Sequence, residues 1–189
     1  MEQKPVKIIG LGGTMGVSYS TGLAALKCAL QGAENEGATV KCIDISLLNF
    51  PMYAEMKEYP QAILDFVAEI HQADALILSS PLYHGSVSGL MKNVLDWLEI
   101  LHDKTPPYLA YKPVGLICVA GGAQALQGIN SMEQIVRALR GWTVPFVVPV
   151  LRSWQVFKAD DTVTDDKVLK QLHSLGKEVK MAAERFSAK

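Results

Sequence analysis

Neither sign of charge prevails in this chain: 18 lysines and arginines stand against 19 aspartates and glutamates, for a net charge of −1. Nucleic acids and anionic membranes are held by concentrated basic surface, so both drop out as expected partners. Near neutrality also weakens repulsion between copies, which permits self-association. Cysteine is scarce: Cys28, Cys42 and Cys118 are odd in number, lie far apart and form no Cys-x-x-Cys pair, which argues against a disulfide framework and a zinc site. No apolar run approaches the length of a membrane span, and Met1-Glu2-Gln3-Lys4-Pro5 leads into no signal-type hydrophobic region. The expected setting is the reducing cytoplasm.

Two nucleotide signatures are missing as well. No Gly-Lys-Ser/Thr tripeptide follows a strand, so the chain lacks the lysine and magnesium ligand of a P-loop. The stretch Gly10-Leu11-Gly12-Gly13-Thr14-Met15 puts Met15 where a dinucleotide fingerprint needs its third glycine, and Asp44 comes later than the usual ribose-binding acid. Nor is Gly85-Ser86-Val87-Ser88-Gly89 a nucleophile elbow, because Val87 occupies the serine position.

What the chain does have is a core. Its 189 residues are 49% hydrophobic, and a chain of this size buries about 70% of its unfolded surface, enough for one domain spanning 1–189. Val6 to Leu11 reads as a strand, and Leu23, Leu26, Leu30 and Ala33 follow at helical spacing. The alternation repeats. Strands are expected at 38–45, 74–80, 112–120 and 143–150, with helical stripes at Ala62 to Ile70, Leu90 to Leu101 and Ile129 to Leu139 between them. Pro145 and Pro149 consign the last strand to a sheet edge. A terminal helix carries Val168, Leu172, Leu175 and Val179 on one face, with Thr164 as its expected cap. Strands too apolar to have a wet face imply a parallel sheet with helices on both sides, an α/β three-layer sandwich.

In such a sheet ligands bind beyond the carboxyl ends of the strands. The loop after the first strand offers glycines and then Thr14, Ser18, Ser20 and Thr21 at a helix start, a set able to cradle a phosphate; a plain capped turn is the competing reading. After the third strand, Pro81-Leu82-Tyr83-His84-Gly85-Ser86 can lay backbone amides and a ring edge along a planar ligand. His84 is assigned binding or structure rather than proton transfer. After the fourth strand, Gly121, Gly122 and Gln124 expose backbone N–H groups beside a helix, as an ordinary glycine turn also would. A phosphate cradle with two flat-ligand loops suits a mononucleotide with a planar ring, such as FMN.

The run Pro81-Leu82-Tyr83-His84-Gly85-Ser86-Val87-Ser88-Gly89-Leu90-Met91-Lys92-Asn93-Val94-Leu95-Asp96-Trp97-Leu98, with the first glycine and hydroxyl loop and the later Gly-Gly loop, resembles the NADPH-dependent FMN reductase family. The similarity runs from Ile8 to about Val150. It implies a flavodoxin-like fold with a five-stranded parallel sheet, FMN and NADPH (or NADH) as cofactors, a small-molecule electron acceptor such as a flavin, quinone or azo compound, and a homodimer or homotetramer. By that resemblance Thr14, Ser18, Ser20 and Thr21 hold the FMN phosphate, while Pro81, Leu82, Tyr83, His84, Gly85, Ser86, Gly121, Gly122 and Gln124 hold the ring. No residue is given a catalytic role, because the flavin carries the chemistry. The chain departs from the family at Gly16, where an arginine is frequent, and at Tyr19, where a serine is common. An electron carrier and a scaffold that has lost tight flavin binding are the alternatives; the net charge of −1 counts against a carrier's acidic docking face.

Three further expectations concern large side chains. By the family resemblance Trp97, Leu98 and Leu101 are expected at an oligomer interface, with packing in the core as the competing reading; Trp142 and Trp154 are expected in core or loop packing, and the methionines as gap fillers.

Overall fold

The protein is described by a computed structural model covering residues 4–160 and 162–187. Its elements run β1 (Lys7–Gly12), α1 (Thr21–Glu34), β2 (Thr39–Asp44), α2 (Gln61–Gln72), β3 (Ala75–Tyr83), β4 (Ser86–Val87), α3 (Gly89–Asp96), β5 (Pro113–Ala120), α4 (Ala125–Ala138), β6 (Trp142–Thr143), β7 (Val148–Leu151), α5 (Ser153–Val156) and α6 (Asp166–Ser187). The strand order is β2-β1-β3-β5, with β6 and β7 both beyond β5. All these pairings are parallel. This is the flavodoxin-like arrangement expected, and the chain reverses its direction of travel across the sheet at β1.

Every residue of β5, and β3 up to Pro81, is buried. That is the pattern of strands covered on both faces, and it explains why they read as unbroken apolar runs. One core layer gathers Ile9, Leu11, Leu76, Leu78 and Leu116 under α2, α3 and α4; the other gathers Ile8, Ile77, Ile117 and Val150 under α1 and α6. The helices α1 and α6 cross at two glycines. A Cβ on Gly176 would stand 1.9 Å from the Ala29 carbonyl oxygen, and one on Gly32 would stand 2.3 Å from that of His173. Backbone meets backbone there, so only glycine fits.

Four expectations are corrected. The sheet has seven strands rather than five. The strand expected at 143–150 is broken into β6 and β7, since Pro145 lies in the interruption and has no N–H to donate. The remaining addition, β4, pairs antiparallel with the end of β3.

Second, the α6 cap is Asp165 rather than Thr164. The Asp165 Oδ1 accepts from Lys167 N–H at 2.9 Å and Val168 N–H at 3.1 Å, whereas Thr164 Oγ1 donates to the Gln155 carbonyl at 2.7 Å. A carboxylate satisfies two helix-start donors at once.

Third, Trp97 and Leu98 are fully buried and Leu101 nearly so within the single chain, so they form no open oligomer face. Their cover is the β2–α2 loop. Trp97 Nε1 donates to the Pro51 carbonyl at 3.1 Å, and its indole meets the Tyr53 and Tyr59 rings edge-on at 5.2 and 6.1 Å. The helix α3 itself ends at Asp96, and the residues Trp97–Leu101 continue it as a tighter 3₁₀ turn.

Fourth, Trp142 and Trp154 are not packed away. They are 58% and 65% exposed, Trp142 touching Phe186 at a ring separation of 5.4 Å.

Candidate flavin site at the carboxyl end of the sheet

The reversal of strand order at β1 opens a crevice between the ends of β1 and β3, the place where an open α/β sheet receives ligands. Three chain segments meet around it.

The first is the loop between β1 and α1. Gly13 adopts φ +147°, and a Cβ there would stand 2.3 Å from Asp44 Oδ1, so any side chain would be strained and obstructed together. Asp44 is meanwhile committed to its own turn, accepting from Ser46 N–H at 3.0 Å and Ser46 Oγ at 2.6 Å. Ser20 caps α1 by accepting from Leu23 N–H at 3.2 Å, and its Oγ lies 3.1 Å from Thr14 Oγ1. Thr21 Oγ1 lies 3.0 Å from Ser153 Oγ, which ties α1 to the turn after β7. Ser18 stands exposed in the loop. The first turn of α1 holds no acidic residue. Its dipole and open N–H groups thus face the crevice with no carboxylate of their own turn to oppose an anion.

The second segment is a hairpin. Leu82 pairs with Val87 and Tyr83 with Ser86, leaving His84 and Gly85 as a two-residue turn with φ +50° and +83°. Positive φ at both central positions is the type I′ pattern, whose twist suits neighbouring strands. Histidine is one of the few L residues enriched in that region, so backbone geometry accounts for His84. The turn is anchored from behind. Ser80 Oγ accepts from Ser88 N–H at 3.0 Å, and Ser88 Oγ caps α3 by accepting from Met91 N–H at 3.1 Å. Tyr83 is left 49% exposed on the rim.

The third segment, Gly121 to Gln124, is exposed throughout and leads into α4. Gln124 offers no side-chain cap to that helix, so the first N–H groups of α4 are open. The helix packs close beneath. A Cβ on Gly128 would stand 2.3 Å from Cys118 Sγ and 3.3 Å from Leu82 Cδ1. Burial alone pushes the Cys118 thiol up to about 12, which keeps it protonated and unreactive behind the site.

Between the first loop and the hairpin lies a cleft of about 210 Å³ lined by Thr14, Met15, Pro81, Tyr83, Ser88, Gly89 and Leu90. The expected residues Thr14, Pro81 and Tyr83 are thus brought together in it. Ser20 and Thr21 stand at its helix-start end, and Leu82, His84, Gly85 and Ser86 build the hairpin beside it. Ser18, Gly121, Gly122 and Gln124 are on the same carboxyl-end rim without lining the cleft itself.

Sequence reasoning missed Met15 and Leu90 as lining residues and Ser80, Ser88 and Ser153 as anchors. Met15 is 63% exposed and Met52 76% exposed, which corrects their reading as gap fillers. The failed third glycine at Met15 was the available signal for an apolar side chain presented at this loop. Among the described residues no group of three or more histidine, cysteine, aspartate or glutamate side chains is placed to hold a metal ion.

A flat ring with a phosphate tail fits these features. The start of α1 presents hydroxyls and open N–H groups, and the cleft presents the side chains of Met15, Tyr83 and Leu90.

Known proteins share the pattern. The chain is 41% identical over 83 residues to an FMN-dependent NADPH-azoreductase of Staphylococcus haemolyticus, a match covering 44% of this chain and 41% of that protein. It is 41% identical over 88 residues to its counterpart in Staphylococcus aureus strain USA300, covering 47% of this chain and 44% of that one. The alignments therefore span less than half the length of these curated relatives. The fold resembles that of an oxidoreductase from Corynebacterium diphtheriae, with a TM-score of 0.76 at 14% identity over 97% of this chain and 99% of that one. It also resembles FerB, a flavoenzyme NAD(P)H:(acceptor) oxidoreductase from Paracoccus denitrificans, with a TM-score of 0.71 at 20% identity over 96% and 98%. The NADPH-dependent FMN reductase family model matches residues 6–155, most of the sequence, and the chain belongs to that family.

Proposed function

We propose that this protein is an FMN-dependent NAD(P)H oxidoreductase that passes electrons to a small-molecule acceptor. The observation that carries the reading is the cleft at the β1/β3 switch point, bounded by a hydroxyl-rich helix start on one side and the Tyr83 to Ser86 hairpin on the other. Thr14, Ser20 and Thr21 would hold the phosphate, with Ser18 free to close over it. Pro81, Leu82, Tyr83, His84, Gly85 and Ser86 would frame the ring along one edge, and Gly121, Gly122 and Gln124 along another. The chemistry that bound FMN would supply is two-electron transfer from NAD(P)H to the acceptor.

The chain's own task is placement. The open N–H groups at the start of α4 are available to stabilise negative charge on a ring edge, at no reorganisation cost once the loop is set. The exposed Tyr83 and Met15 leave room for a second flat substrate above the first. The apolar lining of Met15, Pro81 and Leu90 favours uncharged ring systems as acceptors, azo compounds and quinones among them. No described helix is long and apolar enough to cross a membrane. The proposed setting is the cytoplasm, with dissolved substrates. The small net charge permits a homodimer or homotetramer, to be read by light scattering.

The deciding experiment is a visible spectrum of the purified protein loaded with FMN and freed of excess, followed by anaerobic NADPH. A protein-bound flavin band that bleaches supports the reading. A bound band that NADPH leaves intact refutes it in favour of an electron carrier, and the absence of any bound flavin refutes it outright.

A further inference from the structure

The phosphate loop of this protein contains no cation. From Gly10 to Thr21 there is no lysine, arginine or histidine, and Gly16 occupies the place where the family resemblance puts an arginine. The loop also has a carboxylate against its back, since Asp44 Oδ1 crowds Gly13. A phosphate monoester carries nearly two negative charges at neutral pH. Hydroxyls and a helix dipole alone would have to meet it, beside an anion.

One arginine lies at this end of the fold with nothing to do. Arg137 is paired with Glu133 at 2.7 Å, and the Arg140 guanidinium sits 5.7 Å over the Tyr108 ring; both belong to the far end of α4, remote from the crevice. Arg185 is in the last turn of α6. Arg152, by contrast, follows β7 directly at the carboxyl edge of the sheet and is exposed. Among the described residues it has no ion-pair partner. Its backbone is left-handed, φ +47° and ψ +48°, an unfavourable state for a residue other than glycine or asparagine. Its immediate neighbour is Ser153, whose hydroxyl lies 3.0 Å from that of Thr21 at the start of α1. That contact joins residues 132 positions apart and fixes the arginine's turn against the phosphate end of the crevice.

We propose that Arg152 supplies, from the β7–α5 turn, the cation that the phosphate loop itself lacks, and so binds the FMN phosphate. The inference rests on the FMN reading above and adds to it a binding residue that no sequence motif contains. A guanidinium presents parallel donors to phosphate oxygens, and such charge-assisted contacts are about twice as strong as neutral ones.

The test compares FMN with riboflavin, which has the same ring and no phosphate. Dissociation constants are read from quenching of flavin fluorescence on the full chain, for wild type, Arg152→Asn and Arg152→Lys. Asparagine tolerates the left-handed backbone, so the first variant removes the charge while sparing the turn. The expected result is an FMN dissociation constant raised about tenfold or more in Arg152→Asn, riboflavin changed less than about twofold, and a smaller FMN loss in Arg152→Lys. Added salt should weaken FMN binding more in wild type than in Arg152→Asn. Unchanged FMN affinity in Arg152→Asn overturns the inference. So does equal loss of both flavins, which marks a structural role, or a raised KM for NADPH with FMN affinity intact, which moves the arginine to the other nucleotide. Wild-type protein that binds neither flavin refutes the FMN reading itself, and the inference with it.

Discussion

Replacing His84 separates backbone geometry from proton chemistry at the most tempting residue of the site. His84 and Gly85 form a two-residue turn at φ +50° and +83°, closing a hairpin of only two residue pairs. Asn-Gly is the preferred sequence for that turn, so His84→Asn should leave stability within about 0.5 kcal/mol of wild type. His84→Val places a β-branched residue at a left-handed position, which costs about 1–2 kcal/mol. The cost falls locally, because a hairpin this short can open while the sheet behind it stays intact. A local penalty of that size lowers the population of the closed hairpin, and the apparent FMN dissociation constant of His84→Val should rise, by up to about five- to thirtyfold. Flavin binding is read by fluorescence, global stability by urea denaturation, and anaerobic reduction by stopped-flow absorbance across pH. The expected pattern is His84→Asn matching wild type in binding, reduction rate and pH dependence, while His84→Val binds FMN poorly without a matching loss of global stability. A His84→Asn variant that binds FMN normally yet reduces it more than tenfold slower would refute the reasoning and make the imidazole a participant.

Three further tests probe the frame of the sheet. Gly128→Ala drives a methyl to within 2.3 Å of Cys118 Sγ, so overpacking of about 1–3 kcal/mol should exceed the helix gain of about 1 kcal/mol; adding Cys118→Ala should restore stability, and a double variant no better than Gly128→Ala in urea denaturation would disprove the contact. Lys112 Nζ donates to the His71 carbonyl at 2.8 Å and to that of Ala73, closing the end of α2, so Lys112→Met should cost about 1–3 kcal/mol through the stranded carbonyls. Burial holds the Lys112 pKa below its ordinary 10.5, opposed by the Asp74 charge. The folded state therefore binds fewer protons than the unfolded one between the lowered value and 10.5, and wild type should gain stability with rising alkaline pH relative to Lys112→Met. Parallel stability curves for the two proteins over that range would contradict the assignment. Cys118, fully buried with its thiol pushed up to about 12, should resist alkylation until the protein is unfolded, whereas the exposed Cys42 should label in the native state; mass spectrometry distinguishes the two.

The parts of the fold legible in the sequence were those set by burial on both faces. β3 and β5 announce themselves because covered strands are apolar at every position, and the stripe of Leu172, Leu175 and Val179 announces α6 because all three face one core layer. What covers a stripe is less visible. Trp97 and Leu98 carry the same signal whether a second copy or a loop of the same chain lies over them, and the loop that does so bears Leu48, Phe50, Tyr53, Met56 and Tyr59 with no helical or strand period. The hairpin was hidden for a related reason: His-Gly does the work of Asn-Gly without looking like it, and β4 is too short for alternation to register. In the proposed site, the hydroxyls clustered at a helix start were legible as a local group. Their long-range partners were not, because a contact such as Thr21 with Ser153 leaves no trace in local spacing.

Those unseen partners explain why three separate loops can act as one site. Ser79 Oγ, fully buried on β3, donates to the Gly22 carbonyl of α1 at 2.7 Å. Ser80, the next residue, accepts from Ser88 N–H and so pins the hairpin to the same strand from which Ser79 reaches the helix. Thr21 then links that helix to the turn carrying Arg152. Each bond is modest, on the order of 1 kcal/mol net, and only the Ser80–Ser88 bond involves a residue of the cleft wall. Their value lies in what need not be ordered later: a ligand entering a crevice whose walls are already fixed to one another loses less entropy on binding, and the affinity saved can be spent on placing the ring. Buried hydroxyls in an otherwise apolar sheet are costly unless satisfied, and those of Ser79 and Ser80 are satisfied by joining the elements that the proposed chemistry requires to stay in register.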